Sequence, residues 1–346
     1  MATQNLGVNT MPALKWGLIG ASDIAATRVI DAIRSSGGTV TGVFSGSSGR
    51  ARDFAATHGL PRATADLEQL LAWEIDAVYI SSTNDKHFDQ ACRALKAGKN
   101  VLCEKPLALD AGEAEAMVRL AEDTGLILAA NHHLPGSPLH AKVRELVFDG
   151  AIGTVLSARV AHAVLLPERL RGWRIGQDTP GSGVILDITC HDASVLNPLL
   201  GTPIAVTALA VQQADWNTGG QEDAAMTVIR YERDGLPPVL AQTHDSFTVG
   251  YAGTSLEVHG TDGTIQVLDA MTQDAQGEIV LTTESGATSV DVDCSDDLYL
   301  IGLRAFTEAV AGTGSPTATG RDGLMALKVA LAAQESANSG RTVHIN

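Results

Sequence analysis

The chain has 346 residues, of which 45% are hydrophobic and 18% are charged, enough apolar material for two domains with sizeable cores. Its 24 basic and 40 acidic side chains give a net charge of −16. This balance argues against nucleic acid or an anionic membrane surface as a partner, because their phosphate groups would be repelled.

No apolar run is long enough for a transmembrane helix. The N-terminus lacks the charged start and apolar stretch of a secretory signal, and residues 1–13 are interpreted as a loose leader. The four cysteines have no paired spacing, which argues against a disulfide framework and suits a reducing compartment. We therefore expect a cytoplasmic protein; the cysteines are Cys92, Cys103, Cys190 and Cys294.

Short apolar runs alternate with amphipathic stretches across residues 14–131. Strands are predicted at residues 14–19, 39–44, 77–81, 100–103 and 127–130. Helices are predicted at residues 24–36, 49–58 and 87–97. Strands that alternate with helices of this length are typical of βαβ units around a parallel sheet. The sequence therefore predicts an α/β, doubly wound Rossmann domain over residues 14–131.

The pattern changes after residue 131, without an obvious flexible linker. A helix is predicted at residues 139–148, and longer alternating segments follow with few helices between them. These segments are residues 155–164, 205–211, 225–231, 239–247, 254–259, 265–267, 279–283 and 288–292. Helices at 298–310 and 322–336 end the chain and are expected to pack back on the first domain. Residues 132–346 are thus predicted to form an α+β substrate domain with a large, mostly antiparallel open sheet.

The turn after the first strand predicts a phosphate site. Gly20, Ser22 and Ala25 stand where the dinucleotide pattern G-x-G-x-x-G/A has its small residues, with serine in place of the middle glycine. A tight turn there directs backbone amides and a helix N-terminus toward a pyrophosphate. An ordinary strand-to-helix turn is the alternative.

The end of the second strand indicates which dinucleotide binds. A site that prefers NAD normally has Asp or Glu there for the ribose hydroxyls, whereas residues 44–50 contain no acid. Ser45 and Arg50 suit a 2′-phosphate, which a guanidinium can hold with two hydrogen bonds. The segment favours NADP(H), with NAD(H) as the alternative.

Two further segments predict chemistry. Lys105 and Pro106 follow a buried strand, at the edge where open α/β sheets bind ligands. Asp187 and His191 are four residues apart in a predicted helix, so one face would carry both, with the carboxylate orienting the imidazole. A surface charge and a surface ion pair are the alternatives, and two ligands alone are weak support for a metal. No metal is predicted.

The chain is similar to the glucose–fructose oxidoreductase / inositol dehydrogenase family. The resemblance is carried by the Gly20–Ser22–Ala25 turn, by residues 82–87 and 97–106, and by Asp187-x-x-x-His191. It covers nearly the whole chain. It implies a nicotinamide cofactor between a Rossmann domain and an α+β domain, whose open sheet often forms homo-oligomers.

Within the family, residues 16–25, 131–134, 162–167, 172–174 and 183–192 most resemble reductases of anhydro-keto-sugars. By that resemblance, Ser45 and Arg50 hold the NADP phosphate. The other implied cofactor contacts are Gly20, Ala21, Ser22, Asp23, Ile24, Ser82, Thr83, Asn84, His87, Glu104, Lys105 and Asn131. The implied substrate pocket is lined by Lys105, His162, Trp173, Arg174, Asp187 and His191.

One position departs from these reductases. Pro135 follows His132, His133 and Leu134 where an arginine is expected, which alters a loop near the predicted cleft and leaves the exact sugar open. His132 and His133 are interpreted as structural. Trp173 either stacks on a sugar ring or packs in the core.

The sequence thus predicts an NADP(H)-dependent oxidoreductase that acts on a sugar or anhydro-keto-sugar carbonyl. Lys105, His191 and Asp187 are the predicted catalytic residues, with Lys105 and His191 both open as the proton donor. An NAD-dependent sugar or polyol dehydrogenase is the first alternative. A glycosidase that retains its nicotinamide and a non-catalytic sensor on the same fold are the others.

Overall fold

The computed structural model describes residues 13–176 and 179–345, so the expected leader lies almost entirely outside the described residues. The first half of the chain forms a six-stranded parallel sheet in the order β3-β2-β1-β4-β5-β6. This is the strand order of a doubly wound dinucleotide-binding sheet. Its strands are β1 (Lys15–Ile19), β2 (Thr39–Phe44), β3 (Ala63–Thr64), β4 (Ala77–Ile80), β5 (Asn100–Cys103) and β6 (Leu128–Ala130).

Helices connect these strands and cover both faces of the sheet. The first begins as a π-helical segment, Ala25–Val29, and continues as α1. Three of the others begin at capping side chains: Ser47 and Asp66 each accept a hydrogen bond from the backbone of α2 and α3, and Asp110 accepts two from α5. The helices are α1 (Ile30–Ser35), α2 (Ser48–His58), α3 (Leu67–Leu71), α4 (His87–Lys96) and α5 (Ala111–Thr124).

The second half forms a nine-stranded sheet in the order β14-β13-β12-β11-β7-β10-β9-β8-β15. In the described residues only β10 and β7 pair in parallel, and the other neighbours are antiparallel. The strands are β7 (Val155–Ala163), β8 (Thr202–Val211), β9 (Ala224–Arg233), β10 (Leu236–Ser246), β11 (Ser255–Gly260), β12 (Gly263–Leu268), β13 (Glu278–Thr283), β14 (Gly286–Val290) and β15 (Val343–His344).

The helices of the second half are α6 (Pro138–Phe148), α7 (Glu168–Arg174), α8 (Cys190–Leu200), α9 (Leu298–Val310) and α10 (Gly320–Ser339). A π-helical segment, Ile185–Thr189, leads into α8. The last two long helices reach the first sheet. Phe306 of α9 lies 5.1 Å from Trp16 of β1 between ring centroids, and Gly323 of α10 sits so close to β6 that a Cβ there would lie 2.6 Å from the Ala130 side chain.

The predicted fold class is confirmed: a parallel Rossmann sheet followed by a mostly antiparallel sheet. Strands β2 and β5 match the predicted ranges, whereas the sequence analysis placed no element at β3, α3, α5, α7 or β15. These elements are short, or in α5 rich in alanine and acid, so their apolar periodicity is weak. Within the described residues no helix is both long and apolar enough to cross a membrane.

Candidate active site

The turn after β1 is pressed against the end of β4. Gly20 has φ +120°, and a Cβ there would lie 2.8 Å from the backbone of Ser81 and Ser82, so only glycine fits without movement. The Ser22 hydroxyl donates to Ser81 Oγ at 2.7 Å and accepts from the Ala25 amide at 3.1 Å. The serine in place of the middle glycine therefore stabilises the turn at the start of the helix.

The other residues of this turn are Ala21, Asp23 and Ile24, and none of them is buried. The Asp23 carboxylate is contacted at 3.2 Å by Nη1 of Arg169, which belongs to α7 in the second half of the chain. Both side chains are largely exposed, so this ion pair lies at the surface and contributes little to stability.

The loop after β2 contains the residues predicted to read the 2′-phosphate. Ser45 is buried, and its amide donates to the Thr64 carbonyl at 3.1 Å. Ser47 caps α2, whose first turn contains no acidic residue. Arg50 lies exposed in that turn, and no ion pair of the described residues involves it.

The segment after β4 contains four of the predicted cofactor contacts: Ser82, Thr83, Asn84 and His87. The Asn84 amide donates to the carbonyl of Gly181 at 3.3 Å and so joins the two halves of the chain. His87 is fully buried, with Nδ1 2.8 Å from the Pro106 carbonyl and Nε2 3.2 Å from that of Ser82. The neutral ring can donate to one of these two carbonyls, and it packs between the strand ends that surround the predicted cofactor site.

Glu104 is held where β5 ends. Its Oε1 accepts a hydrogen bond of 2.5 Å from the Tyr79 hydroxyl and one of 2.6 Å from the Asn131 amide. Tyr79 is fully buried, and Asn131 is anchored by its own backbone to the Cys103 carbonyl. These contacts link β4, β5 and the segment after β6, and they fix the backbone that precedes Lys105.

Lys105 projects from the end of β5 onto the π-helical segment of the second half. Its Nζ donates to Asp187 Oδ1 at 2.6 Å and to the Asp187 carbonyl at 2.8 Å. The second carboxylate oxygen, Oδ2, accepts from Arg174 Nε at 2.8 Å. Asp187 is 6% exposed, Lys105 12% and Arg174 22%, so water has little access to this ion triad.

Burial and the two cations of the triad act in opposite directions on the pKa of Asp187. Burial alone would raise the pKa of its carboxyl, but Lys105 and Arg174 outweigh burial and hold that pKa well below its ordinary value. The Asp187 side chain is therefore an anion at any physiological pH. The triad keeps a cationic ammonium group at the end of β5, at the edge of the sheet that carries the cofactor turn.

Four histidines lie near enough to this ammonium group for its charge to act on their pKa values: His132, His133, His162 and His191. The centroid of His191 lies 5.5 Å from that of His132, 5.0 Å from that of His133 and 6.3 Å from that of His162. Burial, with Lys105 as a second cause, lowers the pKa of His132 and of His133 to about 3 and holds that of His191 well below its usual range. The cluster is therefore neutral, and Lys105 carries the positive charge.

The expected interaction between Asp187 and His191 is not found. Both Asp187 oxygens are occupied by cations, which bind a carboxylate more strongly than a neutral imidazole does. Nδ1 of His191 has no hydrogen-bond partner among the described residues. The carboxylate that does orient a histidine is Asp192, whose Oδ1 lies 2.7 Å from Nδ1 of His162.

The sequence analysis missed several residues of this region. Asp192 was visible only as the neighbour of His191, and Asp245 lies in a strand far along the chain, so no spacing joins them. Tyr79 was counted as an apolar strand residue, although its hydroxyl binds Glu104. Trp173 lies on α7, but its side chain is outside the described residues, so its predicted contact with a sugar stays a prediction.

Pro135, which replaces the expected arginine, lies in a short 3-10 turn, Leu134–Gly136. Its carbonyl accepts a hydrogen bond of 2.9 Å from Arg144 Nη2. With Arg144 and Asn197 it lines a surface cavity of about 390 Å³. Pro135 therefore contributes an uncharged side chain to the lining of this cavity, at the position where an arginine was expected.

The arrangement suits a dinucleotide. The close approach at Gly20 leaves no room for a side chain between the turn and β4, and the helix that follows directs its N-terminus to that turn. No group of three metal-ligating side chains occurs in residues 13–176 and 179–345.

Comparison with known families agrees with this geometry. Residues 14–132 match the model described as the oxidoreductase family with an NAD-binding Rossmann fold, and residues 140–266 match the GFO/IDH/MocA C-terminal domain. The chain belongs to the GFO/IDH/MocA oxidoreductase family. The predicted family is thus confirmed, and the protein is a nicotinamide-dependent oxidoreductase.

Individual relatives extend the match over the whole chain. The 1,5-anhydro-D-fructose reductase of Ensifer adhaerens is 40% identical over 96% of this chain and 98% of its own length. An oxidoreductase from Agrobacterium radiobacter in complex with NAD⁺ superimposes with a TM-score of 0.83 at 21% identity, over 96% of this chain and 99% of that one. A 3-ketoreductase from Actinomadura kijaniata in complex with NADP and TDP-benzene does so with a TM-score of 0.80 at 25% identity, over 94% and 98%.

Proposed function

We propose that this enzyme transfers a hydride between NADP(H) and the carbonyl of a sugar or anhydro-keto-sugar, as 1,5-anhydro-D-fructose reductase does. The observation that carries the proposal is the coordination of Lys105. An ammonium group has three N–H donors, and Asp187 occupies two of them, which leaves one for a substrate oxygen. The 40% identity to the Ensifer adhaerens reductase supports the choice of substrate class.

The bound nicotinamide supplies or accepts the hydride at the carbonyl carbon. In the reducing direction, negative charge grows on the carbonyl oxygen, and a cationic donor nearby stabilises it. Lys105 is that donor, because Asp187 leaves one of its N–H groups for the oxygen and the histidines near it are neutral. Its proton moves from Nζ to the oxygen as the alcohol forms.

We assign the remaining side chains to substrate binding. His191 and His162 offer neutral imidazoles to the sugar hydroxyls. Arg174 and Asp187 keep the ammonium group in place and extend the polar wall. The predicted stacking role of Trp173 belongs to this proposal.

The preference for NADP is proposed from the loop after β2. The guanidinium of Arg50, the cap at Ser47 and the buried Ser45 would hold a 2′-phosphate beside the start of α2. No acid in the first turn of α2 opposes that charge. NAD remains the alternative cofactor, since structurally similar proteins bind one or the other.

The decisive experiment measures NADPH and NADH oxidation against a panel of keto-sugars that includes 1,5-anhydro-D-fructose, and NADP⁺ and NAD⁺ reduction with xylose and inositol. We expect turnover of NADPH with the anhydro-keto-sugar to exceed the others. Turnover with NAD⁺ and inositol alone would replace the proposal with a polyol dehydrogenase. Release of a sugar from a glycoside, without net change in cofactor absorbance, would replace it with a glycosidase.

We also propose that two copies associate through the outer face of the nine-stranded sheet in a cytoplasmic enzyme. This face exposes apolar side chains of neighbouring strands, an arrangement that is typical of an interface. They include Leu209 and Val211 of β8, Met226 and Val228 of β9 and Leu240 of β10. Sedimentation of the wild type and of Leu209→Lys tests the association: the wild type should sediment as an oligomer and the variant as a monomer.

A further inference from the structure

Two fully buried carboxyl groups lie behind the histidine cluster, and the mechanism does not use them. Asp192 is on α8 and Asp245 on β10, and neither has exposed surface. Oδ1 of Asp192 contacts Nδ1 of His162 at 2.7 Å. Oδ2 of Asp245 accepts hydrogen bonds from the hydroxyls of Thr189 and Thr243. One oxygen of each carboxyl is thus accounted for.

The second oxygen of each carboxyl has no such partner. Oδ2 of Asp192 and Oδ1 of Asp245 receive no N–H or O–H donor from the rest of the described residues. The two carboxyls are nevertheless close neighbours, because Asp245 lies opposite His162 in the pairing of β10 with β7, His162 contacts Asp192, and each carboxyl acts on the pKa of the other. A hydrogen bond between two carboxyls requires a proton on one of them, because an ionised carboxylate can only accept.

The charges around the pair lead to the same conclusion. In the described part of the chain neither aspartate forms an ion pair with a lysine or an arginine, and Lys105 is bound to Asp187. Burial raises the pKa of Asp192 to about 7 and that of Asp245 well above its ordinary range. Two adjacent carboxylates without a cation cannot both ionise in such a place.

The position of the proton decides the state of His162. Burial lowers the pKa of His162 to about 4, so the ring is neutral and carries one N–H. When Asp192 is the anion, that hydrogen lies on Nδ1, which donates to Asp192 Oδ1 and leaves a lone pair on Nε2. When Asp192 carries the proton instead, Nδ1 can accept and the hydrogen moves to Nε2. No described residue hydrogen-bonds Nε2.

We infer that Asp192 and Asp245 hold one proton, carried by Asp245, and act as a positioning pair that presents Nε2 of His162 as an acceptor for a substrate hydroxyl. The Thr189 and Thr243 hydroxyls both point to Asp245 Oδ2, which leaves Oδ1 of Asp245 to carry the proton and donate to Asp192. The role toward substrate rests on the proposed function, whereas the proton and the tautomer do not.

Two spectroscopic measurements test the pair without any substrate. At pH 7 we expect the infrared band of a protonated carboxyl in the wild type and its loss in Asp245→Asn. The control is Asp223→Asn, since Asp223 is equally buried but accepts N–H donors from Gln213, Ala214 and Asn217, as an anion does. That variant should keep the band. Absence of the band from the wild type, or its persistence in Asp245→Asn, would overturn the inference.

The tautomer is read by ¹⁵N NMR of histidine-labelled protein, with the His162 signals identified by their loss in His162→Gln. We expect a protonated Nδ1 and an unprotonated Nε2 in the wild type and in Asp245→Asn, because the asparagine amide replaces the carboxyl as donor. A protonated Nε2 in the wild type would refute the assignment, whatever the enzyme's substrate is.

Kinetics test the role toward substrate. Loss of a hydrogen bond to an ionised group corresponds to about a tenfold or larger effect, so Asp192→Ala should raise KM for the sugar about tenfold. It should leave the Kd for NADPH unchanged, and Asp192→Asn, whose amide oxygen still accepts from His162, should restore most of the affinity. Equal KM in Asp192→Ala and wild type would show that the pair is structural only.

Discussion

Nζ of Lys105 and Oδ1 of Asp187 are 2.6 Å apart, and they come from opposite halves of the chain, 82 residues apart in sequence. The lysine follows a strand of the parallel sheet, and the aspartate lies in the π-helical segment that leads into α8. Arg174 closes the other side of the carboxylate. The group proposed to donate the proton is therefore held by one of the contacts that join the two halves.

Replacement of Lys105 should remove most of the activity. Because Lys105 provides the cation and the proton for the carbonyl oxygen, Lys105→Met should lower kcat with the best keto-sugar by about 100-fold or more. The Kd for NADPH, measured by fluorescence, should change little. Lys96→Met, at an exposed lysine of α4, is the control and should keep wild-type kcat. A kcat for Lys105→Met within threefold of wild type would contradict the assignment.

Replacement of Asp187 should destabilise the fold. Asp187→Asn keeps the size of the side chain but leaves Lys105 and Arg174 without their anion in a buried place, which costs about 3 kcal/mol of unfolding free energy. Urea denaturation followed by circular dichroism measures this loss. The matched control is Asp89→Asn at an exposed ion pair with Arg93, where the expected loss is about 0.5 kcal/mol. Similar losses in both variants would be evidence against a buried charge triad.

The preference between cofactors should depend on Arg50. If its guanidinium binds the 2′-phosphate, Arg50→Ala should raise the Kd for NADPH about tenfold, the effect of one charged hydrogen bond, and leave the Kd for NADH unchanged. Arg52→Ala changes another exposed arginine of the same helix and should affect neither. Isothermal titration calorimetry measures both constants. An equal weakening of NADPH and NADH by Arg50→Ala would refute the phosphate contact.

Stability should fall as the pH drops below about 6.5. Burial lowers the pKa of His132 and His133 to about 3 and that of His140 and His162 to about 4, whereas an unfolded histidine titrates near 6.5. Below that pH the unfolded chain takes up protons that the folded protein refuses, so acid favours unfolding. Above it, these histidines are neutral in both states and stability does not change on their account.

The aspartate pair acts in the opposite direction. The raised pKa values of Asp192 and Asp245 mean that folding retains protons that the unfolded chain releases above about pH 4, so they favour the folded state toward acid. Burial also lowers the pKa of His87 and of His191, so the histidines outnumber the two carboxyls and unfolding at pH 5 takes up at least about two protons, or about 3 kcal/mol per pH unit or more. Urea unfolding at pH 7.5, 6 and 5 measures the slope, and His140→Gln should reduce it by about one proton. A stability that rises toward pH 5 would contradict this balance.

Helices and strands could be predicted from the sequence where several consecutive residues are buried on one or both faces. The strands β2 and β5 and the helix α9 have the predicted bounds for that reason. Elements without such a pattern were not predicted; in α5, for example, two of the four buried positions are small alanines. The parallel pairing of β10 with β7 is a non-local contact that no local pattern encodes.

The candidate site, too, could be predicted only in part. Lys105, Asp187 and His191 could be predicted because each stands in a motif with its own spacing. Which of them touch could not be, since the choice depends on charges brought in from elsewhere: Arg174 takes the Asp187 oxygen that was assigned to His191. Asp245 belongs to a strand that reaches α8 only in the folded chain.

Helices α9 and α10 pack against the first sheet, and this packing determines how the protein unfolds. Phe306 packs on Trp16 of β1, and α10 lies against β6, so the interior of the Rossmann sheet includes residues from the far end of the chain. A fragment that ends near residue 131 would expose that interior to water. Heating should therefore give one calorimetric transition for the whole chain, with the van't Hoff enthalpy equal to the calorimetric one, and no separately melting nucleotide-binding half.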